Sequence, residues 1–119
     1  MTITQDQNQM TAGPGTRIEI LDTPAELDLT TANNVAAQGR AAIGRHPRLL
    51  LLDLTGLSFC DARGLSALVR IANDADTAGC RYALVAPQPP VVKMLRISGL
   101  NNRLPAFASI RDALAHLPP

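Results

Sequence analysis

Aromatic side chains are nearly missing from this chain: its 119 residues include no tryptophan, one tyrosine and two phenylalanines. Any core must therefore be aliphatic, and the 46% of residues that are hydrophobic suffice to make one. An excess of charge is also missing. The formal net charge is +1, without the basic bias of a nucleic-acid binder, so no nucleic-acid partner is expected. No apolar run approaches the ~18 residues that a membrane span needs, and the first residues lack the basic-then-apolar order of a secretory signal. Cysteine is scarce. Cys60 and Cys80 follow no metal spacing and form no disulfide framework, which makes a reduced, cytoplasmic setting the expectation. His46 and His116 are isolated and read as surface residues, so no metal site is expected. No serine stands in G-x-S-x-G, and Gly13-Pro14-Gly15 is not followed by the Lys-Ser/Thr of a phosphate loop. No catalytic constellation and no cofactor motif emerges, so the chain reads as a non-enzyme.

What is present centres on Leu49 to Val69, LLLLDLTGLSFCDARGLSALV. Leu49–Leu52 is a continuous apolar run closed by Asp53-Leu54, as in a strand buried on both faces. Thr55-Gly56 breaks it, and Leu57 and Phe59 are expected to return to the interior. From Leu65 the apolar residues Leu68, Val69 and Ala72 recur with helical spacing. Asp61 stands at the N-cap of that helix, able to accept its orphan N–H groups. A strand thus delivers a loop, and the loop delivers a helix, the place where open α/β sheets carry function.

The rest of the chain falls around this unit. Met1–Gly15 is polar and ends in Gly-Pro-Gly, which predicts a disordered tail over 1–15 ahead of a single domain over 16–119. Arg17–Leu21 alternates as a strand, with Ile18 and Ile20 on one face. Asp22-Thr23-Pro24 is a turn and Ala25–Asp28 a short extended piece. Thr30 or Thr31 caps a helix with a thin stripe of Ala32, Val35, Ala36, Gly39 and Ile43, where the small Gly39 allows close packing on a sheet. Arg81–Ala86 is a second buried strand, entered after a helix end at Gly79. Pro90 suits the first position of a short helix that ends at Ser98-Gly99-Leu100. Leu104–Phe107, interrupted by Pro105, is an edge strand. Ser109 caps the last helix, with Asp112 favourably placed near its positive end. The order is β, β, α, β, α, β, α, β, α. It predicts an α/β fold, with a mixed, mainly parallel sheet of about five strands and helices packed on it.

The segment SFCDARGLSAL resembles the signature loop of STAS domains, and in particular of bacterial anti-sigma factor antagonists. Their usual form is an apolar strand followed by roughly F-x-D-S-S-G-L. Phe59, Asp61, Gly64 and Leu65 fit, while Ala62 and Arg63 hold the places of the two serines. Ala25-Glu26-Leu27-Asp28 resembles the family's G-E-L-D, with Ala25 for glycine, and RISGL resembles its L-x-x-S/T-G-L. The resemblance runs from about Arg17 to Leu117. It implies an antagonist that binds a kinase-like, ATP-binding anti-sigma factor and so releases a sigma factor. It further implies a contact surface of Asp61, Ala62, Arg63, Gly64 and Ser66, flanked by Thr23, Pro24 and Glu26. A monomer or weak homodimer is expected.

The family's phosphoserine is the second serine, the position of Arg63, which has no hydroxyl. Arg63 reads either as a solvated side chain or as a contact for an acidic partner surface. Ser66, one turn later, is the possible substitute phosphoacceptor, or simply a helix-face residue. Thr55 and Ser58 read as loop hydrogen-bonders and Asp53 as a loop anchor. Cys60 is either a redox thiol or a small buried filler. The alternative to an antagonist is a STAS module that takes a small ligand, nucleotide or lipid, or serves as a scaffold in another regulatory complex.

Overall fold

Leu49, Leu50, Leu51 and Leu52 have no solvent exposure at all, and that is possible only for a strand covered on both faces and flanked on both edges. The structure, a computed structural model, describes residues 17–117; the tail expected over 1–15 lies outside them. The elements are β1 (Ile18–Asp22), β2 (Glu26–Leu27), α1 (Ala32–Ile43), β3 (Leu49–Asp53), β4 (Phe59–Cys60), α2 (Ala62–Ala78), β5 (Arg81–Val85), α3 (Pro89–Ile97), β6 (Ala106–Phe107) and α4 (Ile110–His116). The central leucines form β3, which pairs in parallel with β1 on one side and β5 on the other. β6 completes a four-stranded sheet in the order β1-β3-β5-β6. The expected mainly parallel sheet is found, with every pairing parallel and four strands where about five were anticipated. β2 and β4 form a separate parallel ribbon.

The two faces of the sheet are covered differently. Leu50, Leu52, Tyr82 and Leu84 belong to the larger core, shared with Val35 and Ile43 of α1 and with Leu68 and Ile71 of α2. Leu49, Leu51, Ala83 and Val85 face Ile110, Ala113 and Leu114 of α4. Ile20, in register with Leu51, lies on this second face but is 46% exposed, since the short α4 does not extend over β1. Among the described residues no helix is long and apolar enough to cross a membrane.

Several local expectations change. Gly39 packs not on the sheet but on α2, where an added Cβ would lie 2.7 Å from Ile71 Cγ1. Neither threonine caps α1 through its side chain. Thr31 takes the N-cap position, but its hydroxyl donates to the Glu26 carbonyl at 2.8 Å and accepts from Asp28 N–H at 3.0 Å. Pro89 rather than Pro90 opens α3. β6 is confined to Ala106–Phe107, with Leu104 fully buried ahead of it. The other helix ends follow the sequence. Gly79 closes α2 with a left-handed φ of 72°, a conformation cheap only for glycine. Leu100 N–H returns to the Leu95 carbonyl at 3.0 Å to close α3. Ser109 accepts Asp112 N–H at 3.0 Å to open α4.

Candidate functional site

At the carboxyl ends of β1 and β3 two loops are tied together before α2 begins. Thr23 donates to the Asp53 carbonyl twice, from its N–H at 3.2 Å and its hydroxyl at 2.9 Å. The Asp53 carboxylate accepts Thr55 N–H at 2.9 Å and the Thr55 hydroxyl, so Asp53 anchors the turn. Gln88, at the start of α3, reaches across to the Thr55 carbonyl at 2.8 Å. The Ala25 carbonyl accepts Ser58 N–H at 2.8 Å and the Ser58 hydroxyl at 3.1 Å. The β2–β4 ribbon then sets Glu26 beside Phe59 and Leu27 beside Cys60.

Asp61 follows directly. Its extended backbone and its side chain, which accepts Gly64 N–H at 3.0 Å, make it the N-cap of α2. Its own N–H donates to the Leu27 carbonyl at 3.2 Å, so the helix start is pinned to the ribbon. Gly64 is buried against that ribbon. A Cβ there would meet the Leu27 carbonyl oxygen at 2.3 Å, which only glycine avoids. Ala62, Arg63 and Ser66 are exposed in the first turns of α2. Glu26 is exposed beside them, and Thr23 and Pro24 are half-buried in the tied loop. The residues singled out from the sequence thus converge at one end of the sheet.

Three features of this end escaped the sequence reading. Phe59 is not interior: it is 51% exposed, because in the β4 alternation Cys60 points inward and Phe59 outward. No local signal marks it: alternation carried back to the buried Leu57 would have put Phe59 inside, and β4 is only two residues long. Leu29 is a second exposed apolar residue, at 63%. The third feature is charge. Over residues 22–28 and 53–66 stand five acids, Asp22, Glu26, Asp28, Asp53 and Asp61, against the single base Arg63.

Two titratable groups here are shifted. The Asp28 carboxyl is lowered, chiefly by the Thr30 hydroxyl and then by Thr30 N–H. These donors lie at 2.8 and 2.9 Å. The Cys60 thiol is pushed up to about 11, mainly by burial and secondly by Asp61. Burial and the raised thiol both lower the thiolate fraction that redox chemistry draws on. The small buried filler is the reading that stands. Among the described residues no group of three or more histidine, cysteine or acidic side chains could hold a metal ion.

The STAS domain family model matches residues 14–113 of the sequence. The chain belongs to the STAS domain family. Solved structures carry the same fold. A Thermotoga maritima protein described as an anti-sigma factor antagonist superposes with a TM-score of 0.77 at 20% identity, covering 86% of this chain and 88% of that one. A sulfate transporter family protein from Wolinella succinogenes gives 0.76 at 18% identity, covering 98% and 95%. The anti-sigma factor antagonist SpoIIAA in its unphosphorylated form gives 0.68 at 22% identity, covering 82% and 84%. At such identities the likeness shows the fold, and it is shared by antagonists and transporter modules. No curated protein matches the chain by sequence.

Proposed function

We propose that this STAS domain is an anti-sigma factor antagonist. It works by binding, not catalysis: it occupies a kinase-like, ATP-binding anti-sigma factor and so frees a sigma factor. The contact surface is Asp61, Ala62, Arg63, Gly64 and Ser66, with Thr23, Pro24 and Glu26 beside them. The observation that supports this best is the rigid junction itself. Two loops tied through Asp53, Ala25 and Leu27 hold Ala62, Arg63 and Ser66 out to solvent at the start of one helix. Preorganisation of this kind lowers the entropic cost of docking.

Arg63 occupies the position of the family's phosphoserine, so the domain is not switched there by phosphate. In our reading its availability is set by its amount. The test is incubation with the cognate anti-sigma factor and ATP, followed by mass spectrometry and a binding titration. No phosphate should appear at position 63, and binding should be indifferent to ATP turnover. Phosphate on Ser66, Ser58 or Thr55 that also weakened binding would overturn the unswitched reading. Arg63→Ser should restore a phosphoacceptor, and a phosphate of about −2 charge there would weaken binding. Arg63→Ala should lose at least ~1 kcal/mol of affinity if the arginine meets an acidic surface.

The likeness to the transporter-family structure favours a second reading, a scaffold in another regulatory complex. Failure to bind any ATP-binding anti-sigma factor, with the fold intact, would select it.

A further inference from the structure

The outward positions of a half-buried strand are normally polar, and the β2–β4 ribbon breaks that rule once. Leu27 and Cys60 are buried, so the other register pair, Glu26 beside Phe59, faces out. Glu26 is polar as expected. Phe59, one of only two phenylalanines in the chain, is 51% exposed. Its backbone is nonetheless fixed, with Phe59 N–H on the Ala25 carbonyl at 3.3 Å. Leu29, in the turn after β2, is also exposed. A lone apolar residue on a surface is ordinary. An aromatic ring held on fixed backbone beside the proposed contact has the form of an interface anchor.

Carboxylates border this ring. Glu26 stands across the ribbon from it. Asp61 follows two residues later in extended backbone, on the outward side of the alternation. Asp61 N–H bonds to the Leu27 carbonyl at 3.2 Å, which sets Asp28 next to Asp61. None of the three carboxylates is in an ion pair among the described residues. The groups that donate to Asp28 and Asp61 are neutral: the Thr30 hydroxyl and N–H, and Gly64 N–H. Arg63 stands on α2 and not on the ribbon.

This charge decides what can cover the ring. Two copies of the surface brought face to face would set like charges together, so a second copy of the chain is a poor occupant. A foreign surface fits when it offers an apolar pocket edged by lysine or arginine.

We propose that Phe59 is the apolar anchor of the partner contact, entering a pocket whose rim of basic side chains faces Glu26, Asp28 and Asp61. The inference rests on the antagonist reading and gives the partner's surface its chemistry.

Biolayer interferometry of the full-length chain on the purified cognate anti-sigma factor, at low and high salt, tests this. The variants are Phe59→Ser, Glu26→Lys and, as a control, Ile97→Ser, which removes an apolar residue 74% exposed at the end of α3. Amide NMR spectra establish that each is folded. Phe59→Ser should weaken binding about tenfold or more. Glu26→Lys keeps the ring and should slow association and flatten its salt dependence; it carries the test where Phe59→Ser unfolds. Ile97→Ser should bind as the parent does. With the parent bound, equal affinity of a folded Phe59→Ser, or an unchanged association rate in Glu26→Lys, overturns this proposal and leaves the antagonist reading standing. No binding by the parent overturns both. A parent that sediments as a dimer while Phe59→Ser sediments as a monomer assigns the ring to a second copy and overturns it as well.

Discussion

Replacing Gly64 by alanine probes how the start of α2 is held against β2. An ideal Cβ at that position lies 2.3 Å from the Leu27 carbonyl oxygen, 2.8 Å from Cys60 Sγ and 2.9 Å from Leu27 Cγ. A carbon–oxygen contact relaxes only near 3.3 Å, so ribbon and helix must separate by about 1 Å. The oxygen is backbone and cannot rotate away. It also accepts Asp61 N–H at 3.2 Å, so separation breaks that bond and disturbs the pairing of Leu27 with Cys60. One or two lost hydrogen bonds cost about 1 kcal/mol each, and overpacking costs about 1–3 kcal/mol. The gain in helix propensity returns at most about 1 kcal/mol. The net expectation is a loss of about 1–4 kcal/mol, read from the urea midpoint at constant slope. Gly39→Ala is the internal comparison. Its Cβ would meet the Ile71 side chain at 2.7 and 2.8 Å, which can shift rotamer where a carbonyl cannot. Its loss should be smaller, about 0–2 kcal/mol, after the same gain in propensity. A Gly64→Ala protein as stable as its parent, or less affected than Gly39→Ala, would refute the reasoning.

Other outcomes follow from the same structure. Leu51→Ala removes a side chain with no solvent exposure between the sheet and α4; denaturant melts should show a loss of about 2–5 kcal/mol. Cys60, its thiol raised to about 11 by burial and Asp61, should react slowly with iodoacetamide at neutral pH in the folded protein and fast only when unfolded. The Asp28 carboxyl, lowered by Thr30 from an ordinary value of 3.8, adds stability that is complete above that value and lost as pH falls through the lowered one. The stability gap between parent and Thr30→Ala should accordingly be open at neutral pH and close in acid, as a pH series of melts will record.

The parts of this fold that were legible are those whose cause is local. The leucine run of β3 is apolar at every position because both faces of the strand are covered, and no neighbour is needed to read it. Asp61 and Gly79 bracket α2 because a carboxylate at one end and a left-handed residue at the other are requirements of the helix itself. What was missed depends on distant chain. β4 is only Phe59–Cys60, and it exists because Glu26–Leu27 offers a partner some thirty residues earlier. Without that partner nothing directs Phe59 outward. The hydroxyl of Thr31 is drawn from the helix end by the Glu26 carbonyl, again a consequence of where β2 runs. Gly39 faces α2 rather than the sheet because α1 and α2 lie side by side on one face, a matter of layer packing and not of spacing.

The convergence of the site residues was legible for a reason that joins both kinds of cause. Asp61 caps α2 through Gly64 N–H, while its own N–H is taken by Leu27 and its carbonyl by Leu65 N–H. The N–H groups of Ala62 and Arg63 are left without a partner among the described residues. They point out of the helix start, where the macrodipole favours negative charge. A phosphoserine at position 63 would supply that charge from within the chain and turn the surface anionic. Arginine cannot. With Arg63 the same helix start presents two free donors and a guanidinium together, on an end of the domain otherwise rich in acids. Under the proposed function, the complement of that small cationic corner is a carboxylate carried by the partner. On the same proposal, arginine at position 63 keeps the preference of the helix start for an anion and changes which molecule must bring it.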